Sequence, residues 1–191
     1  MKEPIAYLGE HAWAGTLGHL FASLSFAAAL LSLVAYFLAS RKDDATWNGL
    51  GRAGFRVHSL AVFGIIGLLF VMLLKHWFEF DYVWKHSNTA MPLRYILSCF
   101  WEGQEGSFLL WTFWHVVLGN ILIRKAGVWE NTVMTVFALV QVFLTTMLLG
   151  VYFGDVRVGS SPFLLIRELG ENIGLPWTTI PDYLTKIPQF A

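Results

Sequence analysis

The sequence predicts an all-α fold: a polytopic integral membrane protein of about four transmembrane helices, N-out/C-out, with a structured outer loop. Three observations lead there. Of 191 residues, 56% are hydrophobic and only 14% charged, against roughly 45–50% apolar and about 25% charged in soluble domains. Mean hydropathy is +0.57, and several stretches reach the roughly 17–25 mostly apolar residues that cross a bilayer. Nine Trp residues are many for this length, and indole rings favour membrane–water interfaces.

The first span is expected over about residues 15–39. Its apolar run is too long for a signal peptide, and Glu3 and Glu10 precede it against a single Lys2. The second is expected over about 59–80, apolar from Ser59 to Lys75 with a tryptophan-bearing end near Phe80. The third is expected over about 107–123 and the fourth over about 133–153. Residues 1–153 thus read as one four-span membrane module without internal repeats. Residues 154–191 read as an outward-facing tail, broken by Pro162, Pro176, Pro181 and Pro188, with one helix near Phe163 to Glu171. Its end reads like a linker, so a missing C-terminal part is expected, the chain being a fragment or one part of a split protein.

Orientation follows from basic residues near the span ends. The first loop carries Arg41, Lys42, Arg52 and Arg56, and the third Arg124 and Lys125. The second loop has Lys85 and Arg94, and the long tail spreads out Arg157, Arg167 and Lys186. Loops one and three are therefore expected in the cytoplasm, and the second loop and both termini in a periplasm-like space. A formal net charge of zero offers no basic patch for nucleic acid. The single cysteine, Cys99, excludes an intrachain disulfide. There is no nucleophile–base pair, phosphate loop or CxxC motif, so the residues leave open whether the chain is an enzyme.

The outer loop, Asp81 to Gly106, is long for a connection, and long loops are functional or disordered. Tyr82, Trp84, Tyr95, Phe100 and Trp101 point to order. Pro92 to Phe100 reads as a short interfacial helix with Pro92 in its first turn. Glu102 and Glu105, three apart, could share a helix face and do acid–base work. The alternative, which we prefer, is a carboxylate role at the positive N-terminal end of the third span. Gly103 and Gly106 would permit a tight path or a close ligand.

Three histidines stand out. His115 shares a narrow helical face with Ser107, Trp111 and Leu118, expected to face neighbouring helices. It is either a haem or metal ligand or an interhelical hydrogen-bonding group toward Ser23, Thr145 or Gln141. His19, beside Gly15 and Gly18, and His76 could sit at similar depth, as bis-imidazole haem ligation requires. The competing role for His76 is solvation at the interface. Lys75 and Glu79 are placed to pair weakly, the favoured order being Glu first. No metal centre is expected.

The run Asp81-Tyr82-Val83, Ser87-Asn88-Thr89, Pro92, Tyr95 and Trp101-Glu102-Gly103-Gln104-Glu105-Gly106-Ser107-Phe108-Leu109-Leu110-Trp111 resembles the N-terminal part of the CcmF family. That family is the haem lyase component of bacterial cytochrome c maturation. Gly18-His19 resembles its opening Gly-His, and Ser160-Ser161-Pro162-Phe163 its S-N-P-F element. The sequence departs at Gln104, where the family commonly has histidine, at Ser161 for asparagine, and at Glu102 for glycine. The family's WWD segment and ligand histidines have no counterpart in these 191 residues.

The resemblance implies a multi-pass protein of the bacterial inner membrane that takes part in attaching haem to apocytochrome c. It implies haem as the cofactor of the complete protein, with no axial ligand carried over to His11, His19, His58, His76, His86 or His115. Implied partners are apocytochrome c, a haem chaperone and thiol-reducing maturation subunits, besides membrane lipid and without nucleic acid. Ser87, Asn88, Pro92, Tyr95, Trp101, Gly103, Glu105, Gly106, Ser107 and Trp111 are implied to form a structural or docking element. Two other classes stay open: a membrane electron-transfer subunit of cytochrome b type, which needs facing histidine pairs, and a non-catalytic scaffold of the maturation complex.

Overall fold

Alanine, glycine and serine recur along one stripe of the first helix, and that stripe organises the fold. The computed structural model describes residues 10–42, 44–153 and 156–168. Helix α1 (Ala12–Lys42) buries Gly18, Ala22, Ser25, Ala29, Ser32 and Ala35. Small residues let backbones approach where no hydrophobic effect drives helices together. Helix α2 (Ala45–Lys75) answers with Gly54, where an added Cβ would lie 3.1 Å from the Ser32 nitrogen and 3.2 Å from the Ala28 carbonyl.

Helix α2 starts well before the expected Ser59. Asp44, in extended conformation, caps it by accepting from the Thr46 amide at 2.8 Å. Arg52, Arg56 and His58, expected in a loop, are therefore helical. The polar residues of 45–58 lower the local hydropathy, but His58 is fully buried and Asn48 and Arg52 reach partners on another helix. Glu130 receives Arg52 at 2.7 Å and 2.5 Å, along with Asn48 and Tyr36 at 3.3 Å each. The expected spans differ at their other ends too: α2 stops at Lys75, before Phe80.

After two short helices, α3 (Asp81–His86) and α4 (Leu93–Ser98), come the long helices α5 (Gln104–Lys125) and α6 (Glu130–Leu149). Helix α1 packs on α2 and α6, and α5 on α6 and α2, closing an up-and-down four-helix bundle. Among the described residues, four helices are long and apolar enough to cross a membrane. Helix α5 buries Gly106, Leu109, Thr112, Val116, Gly119 and Ile123. The face expected to look inward is split: Trp111 is 60% exposed and Leu118 is also exposed, whereas His115 is half-buried against Phe137 of α6. Small and hydroxyl residues, rather than the bulky aromatics, mark the packed side.

Gly150, at φ 67°, ends α6 in the left-handed region. The chain then forms a two-stranded antiparallel ribbon, β1 (Val151–Phe153) with β2 (Val156–Val158). The expected fourth span, to residue 153, thus overran the helix by its β-branched and aromatic exit. Residues 160–168 turn back over the bundle end. Leu165 bridges Phe80, the Asp81 amide donates to Leu164 O at 3.0 Å, and the Ile166 amide to Glu79 O at 2.9 Å. Residues 166–168 make a single 3-10 turn. The rest of the helix expected to Glu171, the tail beyond it, and Lys2 and Glu3 lie outside the described residues.

A polar chain crosses the bundle's middle, with one residue from each long helix. Ser25 of α1 has its hydroxyl 3.0 Å from His58 Nδ1 of α2. The Gln141 side chain of α6 lies beside that imidazole, and its Nε2 donates to the Thr112 carbonyl of α5 at 3.1 Å. All four residues are fully buried. A double-mutant cycle of His58→Phe and Gln141→Leu, read by unfolding in detergent, should give a coupling of about 0.6–2 kcal/mol. A coupling indistinguishable from zero would mean that the two side chains do not act together.

Candidate functional site at the capped end of the bundle

Helix α2 ends at a left-handed residue that is not glycine. His76 has φ 55° and ψ 47°, and the amides of His76 and Trp77 close on Leu73 O (3.3 Å) and Met72 O (3.1 Å). That turn breaks the helical spacing between Lys75 and Glu79, so the expected pair does not form. Glu79 is only 2% exposed and takes His11 instead, Oε1 lying 2.7 Å from Nδ1 and 3.2 Å from the His11 amide. A buried carboxylate needs such partners to offset its desolvation. His11 also stacks on Trp77, ring centroids 3.9 Å apart, and Glu10 pairs with Arg167 at 3.2 Å. The start of α1, the end of α2 and the returning segment are thereby tied together.

The connection between α2 and α5 is built around Tyr82. Its buried hydroxyl donates to the carbonyls of Cys99 (2.9 Å) and Phe100 (3.0 Å) and receives the Gly103 amide (3.4 Å). Burial pushes this phenol well above its ordinary pKa, which keeps it a donor. Gly103 and Gly106 are glycines for want of room. A Cβ on Gly103 would meet the Tyr82 and His86 rings, and one on Gly106 would overlap the Phe100 carbonyl and the Tyr82 hydroxyl. A 3-10 turn at Cys99–Trp101 extends α4, close to the expected interfacial helix, with Pro92 at the N-cap.

The other motif residues are local fasteners or surface groups. Buried Ser87 donates to Val83 O at 2.7 Å, and Asn88 Oδ1 receives the Ala90 amide at 3.1 Å, an Asx turn. Ser107 donates to Trp101 O at 3.1 Å. Tyr95, under the Arg94 guanidinium, is exposed, as are Trp101 and Trp111. Glu102 lies in the turn before Gly103 and Glu105 in the first turn of α5, so they do not share a helix face. Gln104 opens α5, exposed.

Two motif pieces far apart in sequence meet here. A Cβ on Gly18 would fall against the Phe163 ring. His19 packs edge-on to that ring, with Nδ1 3.4 Å from Ser161 Oγ, and Ser161 Oγ in turn receives the Phe163 amide at 3.3 Å. A porphyrin needs an open face beside its axial imidazole. Phe163 lies beside His19, and His58 is fully enclosed. His76 lies within the left-handed turn, edge-on to Phe78. His115 leans on Phe137 at 5.2 Å rather than bonding Ser23, Thr145 or Gln141, and its buried Nδ1 has no partner among the described residues. These contacts give none of the histidines a ligand role. Among the described residues no cluster of three or more His, Cys, Asp or Glu could hold a metal ion.

Sequence reasoning gave Glu79 the wrong partner and missed the contacts of His58 and the Arg52–Glu130 pair. The signal for Glu79 was its place between Phe78 and Phe80 at a span end, where an isolated charge is costly and so has a partner.

No protein-family model matches the chain. It is 33% identical over 105 residues to the cytochrome c-type biogenesis protein CcmF of Pseudomonas aeruginosa, a match covering 54% of the chain and 15% of that protein. Against CcmF of Pseudomonas fluorescens it is 30% identical over 157 residues, covering 80% and 21%. Against the cytochrome c-type biogenesis protein ccl1 of Rhodobacter capsulatus it is 26% identical over 160 residues, covering 81% and 23%. A solved structure of the cytochrome c haem lyase CcmF superposes with a TM-score of 0.69 at 28% identity, over 84% of this chain and 26% of that one. The chain spans less than a quarter of the length of these curated relatives.

Proposed function

We propose that the chain belongs to the CcmF family of cytochrome c biogenesis proteins over the stretch it shares with them, and that it is the N-terminal module of a membrane haem lyase in the bacterial inner membrane. The observation that carries this reading is convergence. The Gly18-His19 pair, the run from Asp81 to Ser107 and the Ser161–Phe163 segment, separate in sequence, pack on one end of the bundle. That end is braced by backbone carbonyls and glycines, which suits a platform that holds its shape while others do chemistry. The module thus positions the haem-handling face of the complete protein, and apocytochrome c, a haem chaperone and thiol-reducing subunits are its partners. No axial ligand is assigned to it.

The capped end faces outward in this reading. The opposite end gathers Arg41, Lys42, Arg124 and Lys125 at the last turns of α1 and α5, the mark of a cytoplasmic side. The test is genetic. Deleting the gene in its host should abolish haem-stained c-type cytochromes while leaving b-type spectra intact, and a plasmid copy should restore them. Unchanged haem staining in the deletion strain would sink the proposal.

A further inference from the structure

The end opposite the cap joins a basic cluster to a bare apolar tip. Gly127, at φ 55°, turns the chain sharply between α5 and α6. The turn leaves Val128 94% and Trp129 68% exposed, so no described residue covers either. At the same end Arg41, Lys42, Arg124 and Lys125 are exposed. Among the described residues none of the four forms an ion pair; Arg41 lies over the Phe37 ring at 5.3 Å. The described acidic groups nearby are engaged: Asp44 caps α2, and Glu130 is held by Arg52. Basic residues in a last turn also favour their own helix dipoles. Here, however, the first turns of α2 and α6 lie at the same end and oppose that field.

We propose that this end is a binding surface for anionic phospholipid, with Val128 and Trp129 set into the interface and the four cations on headgroup phosphates. An apolar tip at the same end as four cations matches hydrocarbon beneath a negative headgroup layer. Indole favours that zone, and long basic side chains reach outward from a span to it. A protein partner of matching charge would leave the choice of apolar tip and cations unexplained by depth; a bilayer supplies both at once.

The whole chain in nanodiscs of phosphatidylcholine, carrying trace spin-labelled lipids, tests this. Spin-labelled phosphatidylglycerol should associate at least about twofold more than the phosphatidylcholine probe at low salt. The preference should fall toward parity with added sodium chloride and in the Arg41→Gln, Lys42→Gln, Arg124→Gln, Lys125→Gln variant. The two double variants, one per helix, should each lower it part-way and serve if the fourfold variant does not fold. Replacing chloride by inorganic phosphate at equal ionic strength should change nothing; specific displacement would mean a free-phosphate site and overturn the lipid assignment. A nitroxide at Val128→Cys, in a Cys99→Ser background, should collide with oxygen more than with a water-soluble nickel chelate. Parity in the unaltered chain, a preference that survives charge removal, or a nitroxide open to nickel would each overturn the proposal.

Discussion

Arg52→Ala should lower the stability of the bundle by about 3 kcal/mol, the low end for breaking a buried pair. The Arg52 side chain is 42% exposed, but its removal leaves the Glu130 carboxylate buried with only Asn48 and Tyr36 as donors. Glu130→Gln should cost less, because the guanidinium it releases can still reach water or headgroups. Replacing both by apolar residues, Arg52→Met with Glu130→Leu, should recover most of the loss, since a buried ion pair seldom outperforms good apolar packing. Unfolding midpoints in detergent check the order. If the double variant is as weak as Arg52→Ala, the pair is net stabilising and the uncompensated charge is not what does the damage.

Gly106→Val should be the second large effect. Its side chain would be driven into the Phe100 carbonyl and the Tyr82 hydroxyl, and backbone cannot swing aside as a flexible side chain does. Overpacking of this kind costs about 1–3 kcal/mol or more, and it would part the hydrogen bonds that Tyr82 makes across the connection. Glu105→Gln keeps the shape and loses only a helix-terminal charge interaction of about 0.3–1 kcal/mol. In the host, at matched membrane levels, haem-stained cytochrome c should therefore fall further for Gly106→Val. If Glu105→Gln abolishes maturation while Gly106→Val is tolerated, the connection is chemical rather than architectural.

Hydropathy made the bundle legible, because a bilayer allows few solutions to backbone hydrogen bonding. It failed where polar residues are buried by partners from another helix. Arg52 and His58 lower the hydropathy of residues 45–58 enough to imitate a loop, and only partners on other helices, Glu130 for Arg52 and Ser25 and Gln141 for His58, show that the stretch belongs to the bundle. The inward face of α5 was only partly read for a related reason: Trp111 drew the eye but lies outside, while Thr112, Val116 and Gly119 do the packing. At the cap, the motif run announced an ordered connection, and its hydroxyls and glycines proved to be fasteners. What no local pattern could supply was the meeting of Gly18 with Phe163 or of His11 with Glu79. Those contacts close long loops, and their partners are chosen by the folded bundle.

The measurement that bears most directly on the central claim is which side of the membrane the capped end occupies. Single cysteines at Thr89, exposed in the α3–α4 turn, and at Ala45, exposed at the start of α2, go into a Cys99→Ser background in whole cells. A membrane-impermeant maleimide should label Thr89→Cys on intact cells and reach Ala45→Cys only after the inner membrane is opened. Labelling of Ala45→Cys but not Thr89→Cys on intact cells would put the cap in the cytoplasm, away from where cytochromes c receive haem, and would contradict the account.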